Sequence, residues 1–472
     1  MSFSPSAEIP FIVSSNIEKV DPVTRKLIRS HVMRGKKQNG VRQEKKKQRT
    51  TLATSADWRA PPKEEEIIEV IKLFAPMVPG RVGSDLSLVE FAADINPAIL
   101  LNMAKVCTVA KRVIFPLMVA IGVQEDNRGS FSSIALDAAL LHITASVAEG
   151  FLDRILRRRK NYINTAATLH LQKGLRLLRD TLLGEDEEKK VSDTTISVVL
   201  KLAQVAHFDG DHQASKQHMA GLRRIVDLRG GLNALNGSKL VSEMLRCDLS
   251  IALLSSTPPV FFLLPSERVS QYPEKLLSAS DDNLYRQDDI ALIQKMNGDL
   301  ATSWQVLKRF CLLVNLGTQT QRLISPEIIH GTMTAVIYRL LHMSFPTGSI
   351  DATVHLGLLA FSHHVFLQWQ DIRPPYYHFP DAYKNSILGL KSVDGISRQL
   401  TLWLLMVGAN SLFYLSDETW MRELLRESVV RCQAKTWKEV QEILKSYMWI
   451  PLLDEEPGKR LYDSIYSDKE TD

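Results

Sequence analysis

The chain has 472 residues, is 45% hydrophobic and 24% charged, and carries a formal net charge of +5. That composition excludes a low-complexity or collagen-like chain and suits a globular body large enough to bury its core without staples. Four cysteines (Cys107, Cys247, Cys311 and Cys432) lie too far apart for a CxxC metal or redox pair, and fit reduced thiols in a reducing compartment.

Charge is unevenly spread. Residues 1–62 hold 13 Lys/Arg against 5 Asp/Glu, a net of +8, so the remainder is −3. The body is therefore not a basic nucleic-acid-binding surface by composition. The first residues have neither a basic n-region nor an apolar h-region, so no secretory signal is expected. Ile251 to Leu264 is broken by Pro258 and Pro259, and Leu400 to Leu415 contains Asn410. Both fall short of the roughly 18–20 apolar residues a membrane span needs. The expectation is a soluble intracellular protein with no membrane partner.

In chain order, residues 1–20 are polar with Pro5 and Pro10, and little order is expected. Asp21 is a good N-cap and Pro22 a good first helical residue. Val20, Val23, Leu27, Ile28 and Val32 then share one face, which predicts a short amphipathic helix over 21–34, stopped by Gly35. From Lys36 to Thr50 the only large apolar residue is Val41, too little to fold alone. Ala60-Pro61-Pro62 reads as a linker end.

Helical periodicity takes over after residue 64. Glu64 to Glu66 precede Ile67, Ile68, Ile71 and Phe74, acids well placed at a helix start. Apolar helical spacing runs from Ser132 through Leu156 and again from Tyr162 through Leu182, and the acidic stretch Gly184 to Lys190 reads as a loop. Asp193 can cap a helix with Ile196, Val199, Leu200, Ala203 and Ala206. A further helix with Met219, Leu222, Ile225 and Val226 ends at Gly230-Gly231. Helices are predicted at 239–256, 290–314, 327–343, 351–370, 395–415, 418–430 and 435–446, with a polar loop at 265–290. Alternating strand patterns bounded by hairpin turns are missing. The fold class is all-α: a large multi-helix domain over 63–453, a basic, mostly disordered arm over 1–62, and an acidic exposed tail over 454–472.

No GxSxG elbow, GxxxxGK[ST] loop, HExxH helix or GxGxxG fingerprint occurs, which points away from an enzyme. The densest set of ligand-type side chains is His207, Asp209, Asp211 and His212, which could hold a metal or simply form a helix end and a polar turn. The turn is the favoured reading, and neither catalytic, metal nor cofactor residues are assigned. His363 and His364, adjacent on a helix, point about 100° apart and cannot easily chelate one ion. Arg157-Arg158-Arg159-Lys160 ends an apolar helix, where basic residues complement the dipole.

The arm carries the more informative signal. Residues 25–49 contain 11 Lys/Arg and one acid, Glu44. Lys36, Lys37, Arg42, Lys45, Lys46, Lys47 and Arg49 form two basic clusters with a short spacer, a candidate nuclear-import or phosphate-contact segment. No aromatics are interleaved with these charges, so DNA contact through the arm would be sequence-blind and salt-sensitive.

The segment His218-Met219-Ala220-Gly221-Leu222-Arg223-Arg224-Ile225-Val226-Asp227-Leu228-Arg229-Gly230-Gly231-Leu232 follows the Gly210-Asp211 turn. It resembles the H-x-x-G-L…L-R-G-G-L pattern of the fungal-specific transcription factor domain family. The upstream helix with Leu175, Leu177 and Leu178, Asp248 on the next helix, and Pro258-Pro259-Val260-Phe261 fit the same layout. Asp21-Pro22 through Gly35-Lys36 resembles a leader found on many such proteins. On this resemblance His218, Gly221, Leu222, Leu228, Arg229, Gly230, Gly231 and Leu232 are structural signature positions. The resemblance implies an all-helical regulatory domain, a nuclear location and a role in transcription control, for instance of a metabolic gene cluster. Typical members also carry a six-cysteine zinc cluster that reads DNA. No cysteine precedes Cys107, so that module is not represented. Other transcription factors or a second copy of the chain are the expected partners, along with an unidentified small-molecule effector. A helical ligand-sensing or scaffold protein without DNA binding is the alternative.

Overall fold

The computed structural model describes residues 91–103, 106, 117, 134–153, 164–235, 238–263, 267–277, 287–368, 376–392, 396–413 and 419–467. The basic arm, the amphipathic helix expected at 21–34, the helix expected after Glu64 and the residues 154–163 that hold the Arg157 cluster lie outside this set. All described secondary structure is helical, as the periodicities require.

Residues 97–103 form a helical stretch. Helices α1 (Ala138–Phe151), α2 (Thr165–Leu183), α3 (Glu187–Lys190), α4 (Asp193–Asp209) and α5 (His212–Leu228) follow, then a 3-10 turn at Leu232–Leu235 and α6 (Lys239–Ser255). Next come α7 (Glu274–Leu277), α8 (Gln287–Lys295), α9 (Gly298–Thr320), α10 (Pro326–His342) and α11 (Ile350–Ser362), which runs into a π turn at His363–Leu367. The chain finishes with α12 (His378–Leu388), a 3-10 turn at Gly389–Ser392, α13 (Arg398–Ser411), α14 (Thr419–Arg431), α15 (Trp437–Ser446) and α16 (Pro451–Ser467).

Local chemistry sets most boundaries. Asp137, Asn164, Ser192, Ser349 and Ser397 each accept a hydrogen bond from a first-turn backbone N–H of the helix they precede. Thr436 and Glu439 form a reciprocal capping box at the start of α15. The single helix expected at 290–314 is two helices, because Asn297 caps a new one, its side chain accepting from Asp299 N at 3.0 Å and from Leu300 N.

Three further stretches depart from the sequence reading. The polar loop expected at 265–290 holds α7 at Glu274–Leu277, whose Leu276 is buried, and the start of α8 at Gln287. The acidic Gly184–Lys190 loop contains α3, capped by Asp186 accepting from Lys189 N. The region from Asp454, read as an exposed acidic tail, is the body of α16. Asp454 is buried, as are Leu461 and Ile465. The acidic composition hid an i, i+4 apolar stripe, and Asp454 is answered inside the fold: it accepts from Ile450 N at 2.8 Å and pairs with His364 Nε2 at 2.8 Å.

The buried apolar side chains of α1 to α16 form one connected cluster. Its centre is aromatic. Trp304 on α9 meets Trp403 on α13 edge-on at 5.5 Å, and Trp403 stacks on Tyr447 at 6.0 Å. The Trp403 indole donates to the Met448 carbonyl at 2.8 Å. Close crossings depend on glycine: a Cβ at Gly357 would sit 2.4 Å from Leu404 Cδ2, and one at Gly408 2.7 Å from Tyr383 Cε1. Ile350–Leu367 is an 18-residue apolar stretch, and 67% of it is buried inside the body, as a core helix is.

Candidate functional site

The signature segment builds a helical hairpin from α4 and α5. α4 ends at Gly210, whose φ of 74° is the left-handed conformation that favours glycine. Asp211 then turns outward and its carboxylate accepts from Ala214 N at 2.9 Å, starting α5. The Gly-Asp pair is thus a stop followed by a start. α5 buries Ser215, Met219, Leu222, Ile225 and Val226, one helical stripe facing the core.

The end of α5 needs the next two signature residues. Gly230 and Gly231 have φ of 109° and 83°, and Gly231 N donates to Val226 O at 2.8 Å. Arg229 reaches away from its own helix. It donates to the Val191 carbonyl at 3.2 Å and pairs with the Asp193 carboxylate, fastening the end of α5 to the start of α4. Leu222 is fully buried and Leu232 is half-buried against the core. The other signature positions behave differently. Leu228 is 77% exposed. A Cβ at Gly221 would meet nothing within 4 Å, so no close approach explains that glycine. His218 is half-buried, and burial lowers its pKa against the pull of Asp211.

A second anchor holds the Pro258-to-Phe262 turn. Asp248, on the buried face of α6, accepts from Val260 N at 2.8 Å, Phe261 N at 3.0 Å and the Tyr338 hydroxyl at 2.9 Å. Burial pushes its carboxyl up to about 6, against the pull of those three donors and the Arg223 charge. Burial, reinforced by the Asp248 charge, raises Tyr338 far above its ordinary value. From the hairpin side, Arg223 donates to the Val260 carbonyl at 3.0 Å, pairs with Asp227 at 2.8 Å and with Glu267, and lies 5.4 Å from the centre of the Phe261 ring. Both faces of the turn are therefore pinned, one by a buried carboxylate and one by a guanidinium.

Sequence reasoning placed Asp248 and Pro258-to-Phe261 in this neighbourhood and missed Arg223 and Tyr338. Arg223 falls at a half-buried position of α5, between Leu222 and the Ile225-Val226 pair, and that register is the signal that could have flagged it. Tyr338 sits 90 residues away in sequence from Asp248 and leaves no local signal.

Of the residues considered for a metal, His207, Asp211 and His212 are engaged elsewhere. The buried His207 ring bonds the Tyr376 hydroxyl through Nδ1 at 2.7 Å and the Ser250 hydroxyl through Nε2 at 2.9 Å. Burial, with the neighbouring His212, depresses its pKa to about 3. His212 packs its ring on Tyr376 with centroids 4.0 Å apart. Asp211 is the N-cap of α5. Tyr376 is thus wedged between two histidines, one at the end of α4 and one at the start of α5. His363 and His364 face different partners: His363 Nδ1 meets Ser411 at 3.2 Å, while His364 bridges Gln368 and Asp454. His142 and His170 bring their Nδ1 atoms to 2.9 Å across the buried α1–α2 contact. Among the described residues no group of three or more His, Cys, Asp and Glu is placed to hold a metal ion. The basic candidates Lys36, Lys37, Arg42, Lys45, Lys46, Lys47 and Arg49 lie outside the described residues.

A family model described as "Fungal specific transcription factor domain" matches residues 98–287. That range holds α1 through α7, including the hairpin, its two-glycine stop, Asp248 and the pinned turn. No curated protein and no solved structure matches the chain. Residues 98–287 are thus similar to a fungal specific transcription factor domain, a domain of transcription regulation.

Proposed function

We propose that this protein regulates transcription from the nucleus through its helical body, as a non-enzymatic regulator of a metabolic gene cluster that acts with other transcription factors. The observation that carries the reading is the family match over residues 98–287, a segment whose polar side chains act as structural anchors. His207, Asp211, Arg229 and Asp248 each hold backbone or another side chain in place. The basic arm supplies the import element, and its contact with DNA, where made, is through phosphates alone.

Genome-wide mapping of the tagged full-length protein on chromatin tests this. Discrete promoter peaks that disappear when a partner factor is deleted are expected. Absence of enrichment anywhere would overturn the regulatory reading in favour of a helical sensor or scaffold that does not meet DNA. Replacing Lys36, Lys37, Lys45, Lys46 and Lys47 together with alanine is expected to abolish nuclear accumulation. Import undiminished in that variant would remove the arm from the proposal while leaving the promoter test standing.

A further inference from the structure

The contact between α1 and α2 is built around two buried histidines. His142 is 5% exposed and His170 6%. Their Nδ1 atoms lie 2.9 Å apart, with ring centroids at 5.0 Å. At that distance one imidazole carries a hydrogen on Nδ1 and donates it to the bare Nδ1 of the other. The neutral pair makes this bond, and so does a pair holding one extra proton. A pair of imidazoliums cannot: each Nδ1 then carries a hydrogen, and two positive charges face each other out of water.

The helices leave no slack to relieve that repulsion. A Cβ at Gly174 would sit 2.6 Å from Cδ1 and Cγ1 of Ile143, the neighbour of His142. At the start of α2 the contact is tied by other groups. Asn164 caps the helix by accepting from Ala167 N at 3.0 Å, and its amide donates to Asp153 at 2.5 Å and Glu149 at 3.4 Å. Asn102 donates to Glu149 at 2.7 Å. The charged groups acting on the pair are few. On α1, Glu149 favours a charge on His170; on α2, Lys173 opposes one on either ring. α4, also packed on α1, buries only apolar and hydroxyl side chains and the distant His207. α3 lies at the other end of α2, beyond Gly184.

We propose that His142 and His170 form an acid-sensitive latch: the pair closes the α1–α2 contact while it holds no more than one extra proton, and a second proton drives the middle of α2 off α1. Burial lowers the pKa of both rings, with the opposite ring and Lys173 adding to the effect on His142 and Lys173 adding to that on His170. The open state takes protons near the ordinary value of 6.5. The latch is therefore fully closed above pH 6.5 and loosens as pH falls below it.

Amide hydrogen exchange of the full-length protein, read segment by segment near pH 7.5 and near pH 5 and corrected for intrinsic rates, tests this; opening of α1 and α2 should rise by up to about tenfold per pH unit for each proton the closed contact refuses. His142→Asn combined with His170→Asn keeps a donor and an acceptor at the contact without a titratable ring. It should remove the acid response of α1 and α2 and leave that of α4 and α5, where His207 sits. Protection of α1 and α2 unchanged between the two conditions would overturn the proposal, as would an equal loss in the double variant. Where that variant does not fold, nitrogen-15 spectra of the parent histidines decide: one Nδ1–H and one Nε2–H tautomer are expected at neutral pH. Two Nε2–H tautomers, or two imidazoliums with the contact still protected, would exclude the latch. No chromatin measurement enters, so failure here leaves the transcriptional reading untouched.

Discussion

The family-matched segment from α1 to α7 and the later helices from α9 to α16 are stabilised in different ways. The first is organised by local devices and polar anchors: a left-handed Gly210, the Asp211 cap, the double-glycine stop, Arg229 on Val191 and Asp193, and Asp248 on the Val260–Phe261 turn. The second is organised by aromatic bulk and close crossings, with Trp304, Trp403 and Tyr447 in mutual contact and Gly357 and Gly408 admitting neighbouring side chains. A recognisable motif arises where geometry is fixed by short-range chemistry, since each such device constrains particular residues at fixed spacing. Where bulk and shape decide, many sequences would serve and no motif emerges.

The comparison can be broken by mutation. The largest effect is expected at Trp403→Ala, which empties the centre of the later half and should cost about 3–5 kcal/mol in denaturant unfolding. A smaller loss would mean the aromatic centre is not where the stability resides. Next is the acid response of the hairpin. The folded His207 refuses a proton until about pH 3, whereas the unfolded imidazole takes one near its ordinary value of 6.5. Its contribution is therefore present above pH 6.5 and lost as pH falls from there toward 3. Asp248, raised to about 6, acts in the opposite sense and favours the fold as pH falls from 6 toward 4. A His207→Gln variant should show a shallower loss of stability than the parent between pH 6.5 and 3; an unchanged slope would remove His207 as its source.

Gly357→Ala comes third. Its Cβ would meet Leu404 Cδ2 at 2.4 Å, and overpacking of this kind costs about 1–3 kcal/mol. The signature glycines provide the finest contrast. Gly231→Ala places a side chain in left-handed backbone with no neighbour in the way, a backbone cost of about 1–2 kcal/mol. Gly221→Ala lies mid-helix in open space, and replacing glycine by alanine there should stabilise by up to about 1 kcal/mol. Thermal melts of the two variants moving in opposite directions would separate a conformational glycine from one kept for another reason. Both moving down would mean the α5 face at Gly221 is needed close to something.

Much of the hairpin was legible in the sequence because its determinants are adjacent in the chain. Gly210-Asp211 marks a stop and a start within two residues, and Gly230-Gly231 marks the next stop. The helices at 326–342 and 419–431 were equally legible from their spacing. α16 was missed because its acids outnumber its bases, although Leu461 and Ile465 lie one turn apart. Adding up charge along a stretch does not reveal which carboxylate turns inward.

Legible in the chain are most of the local states: most helix starts and stops, the all-helical class, and the separation of a basic arm from a slightly acidic body. These follow from propensity, capping and periodicity, which act over a few residues. Only the tertiary structure decided that His207 and His212 bracket Tyr376, that Asp248 meets Tyr338 90 residues away, and that Arg223 and Arg229 hold backbone in place. Those outcomes depend on which helix faces pack together, and that is settled by the shape and volume of the whole core.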